Sequence, residues 1–107
     1  TDAPRAAALF RKACEGDDMS GCLLLGIMYK TGAGVPHDPE YAVELFRKAC
    51  DYGEGLACAS LGYMYANGEG VDQDRQQAAE LFRAACADGD AIGCDASEQL
   101  NRSQSVP

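Results

Sequence analysis

Apolar and polar positions along this chain recur with two periods at once. Ala6, Leu9, Phe10, Ala13 and Cys14 fall at i, i+3, i+4, i+7 and i+8, the spacing that lines one face of a helix. The same residue types return 36 positions later as Ala42, Leu45, Phe46, Ala49 and Cys50, and 36 beyond that as Ala78, Leu81, Phe82, Ala85 and Cys86. A second stripe follows the first two of these, with Cys22, Leu25, Gly26 and Tyr29 in one copy and Cys58, Leu61, Gly62 and Tyr65 in the next. The pattern predicts helical hairpins, each an A helix followed by a B helix. Self-similarity at a period of about 20 to 50 residues marks a solenoid, in which one unit buries its apolar face only when a neighbour stacks on it.

Start and stop signals place the helices. Asp2 or Ala3 precedes a first helix that Pro4 opens, Asp38 and Pro39 do the same in the second copy, and Asp74 and Gln77 have capping-box spacing in the third. Gly53 and Gly89 are placed to end the A helices. The B helices stop at Lys30-Thr-Gly-Ala-Gly-Val35 and Ala66-Asn-Gly-Glu-Gly-Val71, where Gly32 and Gly68 suit a left-handed cap and Val35 and Val71 plug the space beneath. Neither Gly-x-Gly pair follows a strand, so they read as turns and not as phosphate cradles. A glycine inside a helix costs about 1 kcal/mol relative to Ala. Gly26 and Gly62 at one register therefore predict a packing role, close approach of the A helix, with Gly62→Leu prising the pair apart.

The units run over about 4–37, 38–73 and 74–101, with 102–107 a tail lacking an apolar face. The third B helix has Ser97, Glu98 and Asn101 where the others have Leu, Gly and Tyr, the polar composition an array needs at its end. A chain of 107 residues holds almost three units, close to the minimum for a stable array. The first residue is Thr1, with no initiator Met or hydrophobic signal, which fits a mature or trimmed form.

Charge narrows the partners. Seventeen acidic against nine basic residues give a net charge of −8, which argues against nucleic acid and anionic membrane surfaces, both of which are bound by Lys and Arg. Cationic or neutral partners fit better. No apolar run approaches the roughly 18 residues a membrane span requires.

Six cysteines sit in register with the repeat, two per unit and eight apart. The first of each pair lies in the last turn of an A helix and the second in the first turn of a B helix, so a tight hairpin brings them within bonding range. Pairing within each unit gives Cys14–Cys22, Cys50–Cys58 and Cys86–Cys94, whereas linking successive units would strand Cys14 and Cys94. Such bridges stand in for a deep core and imply an oxidising compartment, periplasmic or secreted. Buried free thiols and a metal site are the alternatives. Zinc ligands in small domains usually stand about two to four residues apart, while the gaps here are 8 and 28 and the single His37 has no Cys nearby, so no metal or other cofactor is expected.

In its A-helix motif Ala-x-x-Leu-Phe-x-x-Ala-Cys, and in Leu25-Gly-Ile-Met-Tyr-Lys-Thr-Gly-Ala-Gly-Val35 and Leu61-Gly-Tyr-Met-Tyr-Ala-Asn-Gly-Glu-Gly-Val71 with Asp38 and Asp74 following, the chain resembles the Sel-like repeats of the tetratricopeptide-like superfamily, cysteine-rich Hcp type. The resemblance covers about 4–101, except for the B-helix motif of the third unit. It implies an all-α protein, a right-handed α/α solenoid of three helix-turn-helix repeats with one disulfide each. It also implies a secreted or periplasmic scaffold that binds a protein or a peptide, with weak β-lactamase or penicillin-binding activity as the alternative; a cell-wall fragment is a further candidate partner.

The residues favour the scaffold. No serine is followed three positions later by Lys, as a serine β-lactamase requires. The paired carboxylates Asp17/Asp18 and Asp88/Asp90 sit in inter-helix links, where they serve as turn residues. The candidate binding face is the polar side of the A helices: Arg5 and Lys12 in the first, Tyr41, Glu44 and Lys48 in the second, Gln77 and Glu80 in the third. Glu44 and Lys48 also have the spacing of an ordinary i, i+4 surface pair. End-to-end stacking of copies is a further possibility for a short array.

Overall fold

The computed structural model describes residues 3–105, with side chains described through Glu98. Six helices follow one another: α1 (Ala3–Glu15), α2 (Met19–Thr31), α3 (Pro39–Asp51), α4 (Gly55–Asn67), α5 (Arg75–Ala87) and α6 (Ala91–Ser105). No strand occurs among the described residues. The odd helices are the A helices and the even ones the B helices. Each helix packs mainly on its neighbours in sequence, which gives an elongated body of 49 × 24 × 20 Å. This is an α/α solenoid of three hairpins.

The capping residues act as the sequence predicts. Asp38 accepts a hydrogen bond from the Tyr41 N–H at 3.1 Å and Asp74 one from the Gln77 N–H at 3.0 Å, each satisfying an orphan donor of a first turn. Asp18 does the same for α2 through the Ser20 N–H, and Asp90 for α6 through the Gly93 N–H. Asp2 lies outside the described residues, and Ala3, expected ahead of the first helix, already belongs to it. The B helices end on Gly32 and Gly68 in the left-handed conformation, and Val35 and Val71 pack partly buried against the core.

Each hairpin is closed by its own disulfide, Cys14–Cys22, Cys50–Cys58 and Cys86–Cys94, with Cα atoms 4.5, 4.6 and 4.5 Å apart. Backbones this close leave room only for small residues beside the bridge. A Cβ on Gly21 would lie 2.7 Å from the Ala13 Cβ, and one on Gly93 would lie 2.5 Å from that of Ala85.

Two expectations need correction. Gly26 and Gly62 do not serve contact within their own hairpin. A Cβ on either would meet the ring of the following unit's A helix, Phe46 Cε1 or Phe82 Cε1, at 2.7 Å. Both rings are buried, so the missing side chain is a notch for a phenylalanine and the contact lies between repeats. The second correction concerns the C-terminus. Helix α6 continues to Ser105, so the tail expected over 102–107 is helical as far as it is described. Residues 106 and 107 lie outside the described part.

The core runs along the axis of the array. Ala42, Phe46, Ala49, Leu61 and Met64 form its centre, with Phe82, Ala78 and Ala85 repeating the arrangement one unit on. Burying a phenylalanine contributes about 1.5–3 kcal/mol, so the two seated rings are among the strongest contributions to joining the units.

Candidate functional site

The polar side of the A helices divides into two kinds of residue. Arg5, Lys12, Glu44 and Glu80 are exposed and belong to well-formed helices held by bridges at their C-terminal ends. Tyr41, Lys48 and Gln77 are half-buried, and the first two are engaged in joining repeats. The Tyr41 ring stands edge-on to that of Tyr29 in the preceding B helix, centroids 4.7 Å apart at 79°, the geometry that ring quadrupoles favour. Lys48 Nζ donates to the Cys14 carbonyl at 3.2 Å and lies 3.5 Å from Asp17 Oδ1. A cation there meets the negative end of α1. The i, i+4 pairing with Glu44 that spacing allows gives way to this contact across the junction.

Lys48 also draws in an unusual backbone. Asp17 has φ 66°, the only non-glycine residue with positive φ among those described, and it stands at the register of Gly53 and Gly89. Asp tolerates this region better than most L-residues. The position thus exchanges some conformational ease for a carboxylate near Lys48.

A further pair escaped the sequence reading. Arg11 donates to the Tyr29 hydroxyl, and one unit later Arg47 donates to the Tyr65 hydroxyl at 2.8 Å, its guanidinium carbon 5.7 Å from the ring centroid. These clamps tie the A helix to the B helix of the same hairpin. The signal was present in the sequence, since Arg follows Leu-Phe in all three units and Tyr recurs at 29 and 65. Asn101 holds the third Tyr register, and its side chain lies outside the described ones.

All six sulfurs are bridged, so no thiolate is on hand as a nucleophile. No group of three or more His, Cys, Asp or Glu converges among the described residues. No described helix is long and apolar enough to cross a membrane.

A rod of disulfide-closed helical hairpins, joined by phenylalanine rings seated on helix glycines, defines a class: short α/α repeat proteins with one bridge in each hairpin. The sequence pattern of the Sel1 repeat matches residues 1–18, 20–53 and 55–90, and the chain belongs to that family. Each match ends just after an A helix, at 18, 53 and 90, so the family unit spans a B helix and the A helix that follows it, and α6 lies beyond the last match. Three solved structures are similar. A Sel1 repeat protein from Oxalobacter formigenes superposes with a TM-score of 0.81 at 32% identity, over 86% of this chain and 38% of the other. A protective antigen of uropathogenic Escherichia coli strains with an SLR fold gives 0.76 at 37%, over 78% and 18%. Cysteine rich protein B of Helicobacter pylori gives 0.79 at 34%, over 83% and 67%. The chain therefore spans well under half the length of the first two. A search of curated proteins finds no match. The three bridges, together with the cysteine-rich Helicobacter relative, point to an extracytoplasmic protein.

Proposed function

We propose that this chain is a binding scaffold of the periplasm or the extracellular medium, holding a protein or peptide partner against the polar side of its A helices. The observation that carries the reading is the division of labour just described. Tyr41 and Lys48 are engaged at the first junction, while Arg5, Lys12, Glu44 and Glu80 remain exposed on a frame whose helices are fixed by bridges. Polar groups on a rigid support lose little entropy on binding, which favours recognition over adaptability. Membership of the Sel1 repeat family, whose members are generally protein-interaction modules, supports the same reading. The net charge of −8 favours a cationic or neutral partner, and a cell-wall fragment carrying amino groups fits as well as a basic peptide. A hydrolase has no supporting observation on this surface.

Affinity capture from a periplasmic or secreted fraction tests it, comparing the wild type with an Arg5→Ala, Glu44→Ala, Glu80→Ala variant. The three positions are exposed and outside the junctions, so the fold is expected to survive and the captured partner to be lost. Undiminished capture by the folded variant moves the binding site elsewhere. Hydrolysis of a chromogenic β-lactam by the wild type, at a rate that follows the protein through purification, replaces the scaffold with the enzyme.

A further inference from the structure

The links between the A and B helices line one edge of the rod. Lys48, in the last turn of α3, reaches the Cys14 carbonyl and Asp17 at the first link. A Cβ on Gly55, at the start of α4, would lie 3.2 Å from that of Asp88 and 3.1 Å from that of Asp90 in the third. Residues 15–20, 51–56 and 87–92 hold seven of the seventeen acidic residues and none of the nine basic ones, so nearly all of the charge excess stands on this edge. Asp18 and Asp90 cap helices there, and Asp17 lies near Lys48. Asp51 and Asp88 are exposed, and neither side chain has an ion pair or hydrogen bond among the described residues.

The same links carry apolar side chains in water. Tyr52 is 68% exposed, Leu56 38% and Ile92 48%. Tyr52 and Leu56 belong to the middle repeat, which has a neighbour on either side, so stacking does not cover them. Ile92 is the counterpart of Leu56 one repeat on. The fold itself requires none of the three, because Gly16 and Asp88 hold the register of Tyr52, and Ser20 holds that of Leu56. The Tyr52 hydroxyl has no partner among the described residues. Exposed apolar residues scattered singly need no explanation, but these stand in adjacent links among charges of one sign, the composition of a binding surface.

Chemistry narrows the occupant. Anionic lipid and the same edge of a second copy both meet like charge here. No three carboxylates converge among the described residues, so the edge offers a broad negative field and not a chelate. Such a field suits several cations spaced along one segment, and the apolar residues need apolar partners between those cations. We infer that the link edge docks a basic amphipathic segment of a protein partner, its apolar side chains on Tyr52, Leu56 and Ile92 and its lysines or arginines at Asp51 and Asp88. The links are short and closed by bridges, so the surface is formed before the partner arrives. It is separate from the polar A-helix rows proposed above, and either reading stands without the other.

The experiment titrates the full chain with a short synthetic amphipathic peptide of lysine and leucine, and with a peptide of equal charge that has serine in place of leucine. The lysine-leucine peptide is expected to bind about tenfold more tightly or better, and Tyr52→Ser, Leu56→Ser, Ile92→Ser to remove that advantage. Asp51→Asn, Asp88→Asn is expected to weaken binding about threefold in low salt and less in high salt. The Arg5→Ala, Glu44→Ala, Glu80→Ala variant should bind as wild type does. Equal affinity for the two peptides overturns the inference, as does an apolar variant that keeps its helical circular dichroism and its affinity. If that variant unfolds, the asparagine pair decides, and unchanged affinity in low salt overturns it. Loss of the peptide with the A-helix variant overturns it too, by placing the peptide on the other surface. Self-association of the wild type in light scattering, abolished by the apolar variant, gives the edge to a second copy and has the same effect.

Discussion

The two junctions of the array share one contact and differ in nearly every other. Between repeats one and two, Phe46 lies over Gly26, and Tyr29–Tyr41 and the Lys48 contacts with Cys14 and Asp17 are added. Between repeats two and three, Phe82 lies over Gly62 in the same way, but Gln77 and Ala84 replace the tyrosine and the lysine. A different ring contact, Tyr63 edge-on to Phe82 at 4.9 Å, occurs there instead. The ring on the glycine is the constant element and the polar dressing is interchangeable. Magnitudes explain why. A buried ring is worth about 1.5–3 kcal/mol, while a half-exposed ion pair contributes about 0–1.

The likeness of the junctions is tested most directly at the rings. Phe46→Ala and Phe82→Ala are each expected to cost about 3–5 kcal/mol by chemical denaturation. The two values should agree within about 1 kcal/mol, and Phe10→Ala should cost clearly less. A loss at Phe46 far above that at Phe82 would mean that the polar contacts of the first junction are not secondary. Next comes the staple of the middle hairpin. Replacing Cys50 and Cys58 together by Ser removes a small loop closure worth about 2.5 kcal/mol on the chain-entropy account. Because the bridge lies within a hairpin, the drop should match that for Cys14 and Cys22 if both junctions rest on the rings.

Smaller effects bear on the polar contacts. Asp17→Gly is expected to raise stability by up to about 1 kcal/mol, since it relieves a left-handed residue, and Gly53→Asp should lower it. A loss on Asp17→Gly would show that the carboxylate near Lys48 outweighs the backbone cost. Lys48→Ala is expected to cost under about 1 kcal/mol, with the melting temperature falling less in high salt than in low.

The architecture was legible because a 36-residue period leaves few folds open, and because Asp38, Asp74, Gly32 and Gly68 announce helix ends by mechanisms that do not depend on the tertiary structure. The cysteine spacing allowed the bridges to be read for the same reason. Gly26 and Gly62 show where such reading stops. A repeat in register does not tell a contact inside a unit from one between neighbours, so the spacing alone points the glycine at the wrong partner helix. Asp17 gave no warning, since nothing in the residue type marks a left-handed backbone. The last turns of α6 have no apolar stripe, so periodicity could not find them. Of the binding rows, Lys48 and Tyr41 turned inward because their neighbours one unit earlier, Cys14 and Tyr29, lie far away in sequence. Arg5, Lys12, Glu44 and Glu80 stayed on the surface.

Each sulfur finds its mate only eight positions along the chain. A polypeptide delivered amino end first can therefore be oxidised one hairpin at a time, before the residues that follow have arrived. Mispaired cysteines would have to meet across longer intervening segments, which close at greater entropic cost. Proximity along the chain alone thus favours the native pairs over every mispaired one, before any contact between hairpins is made.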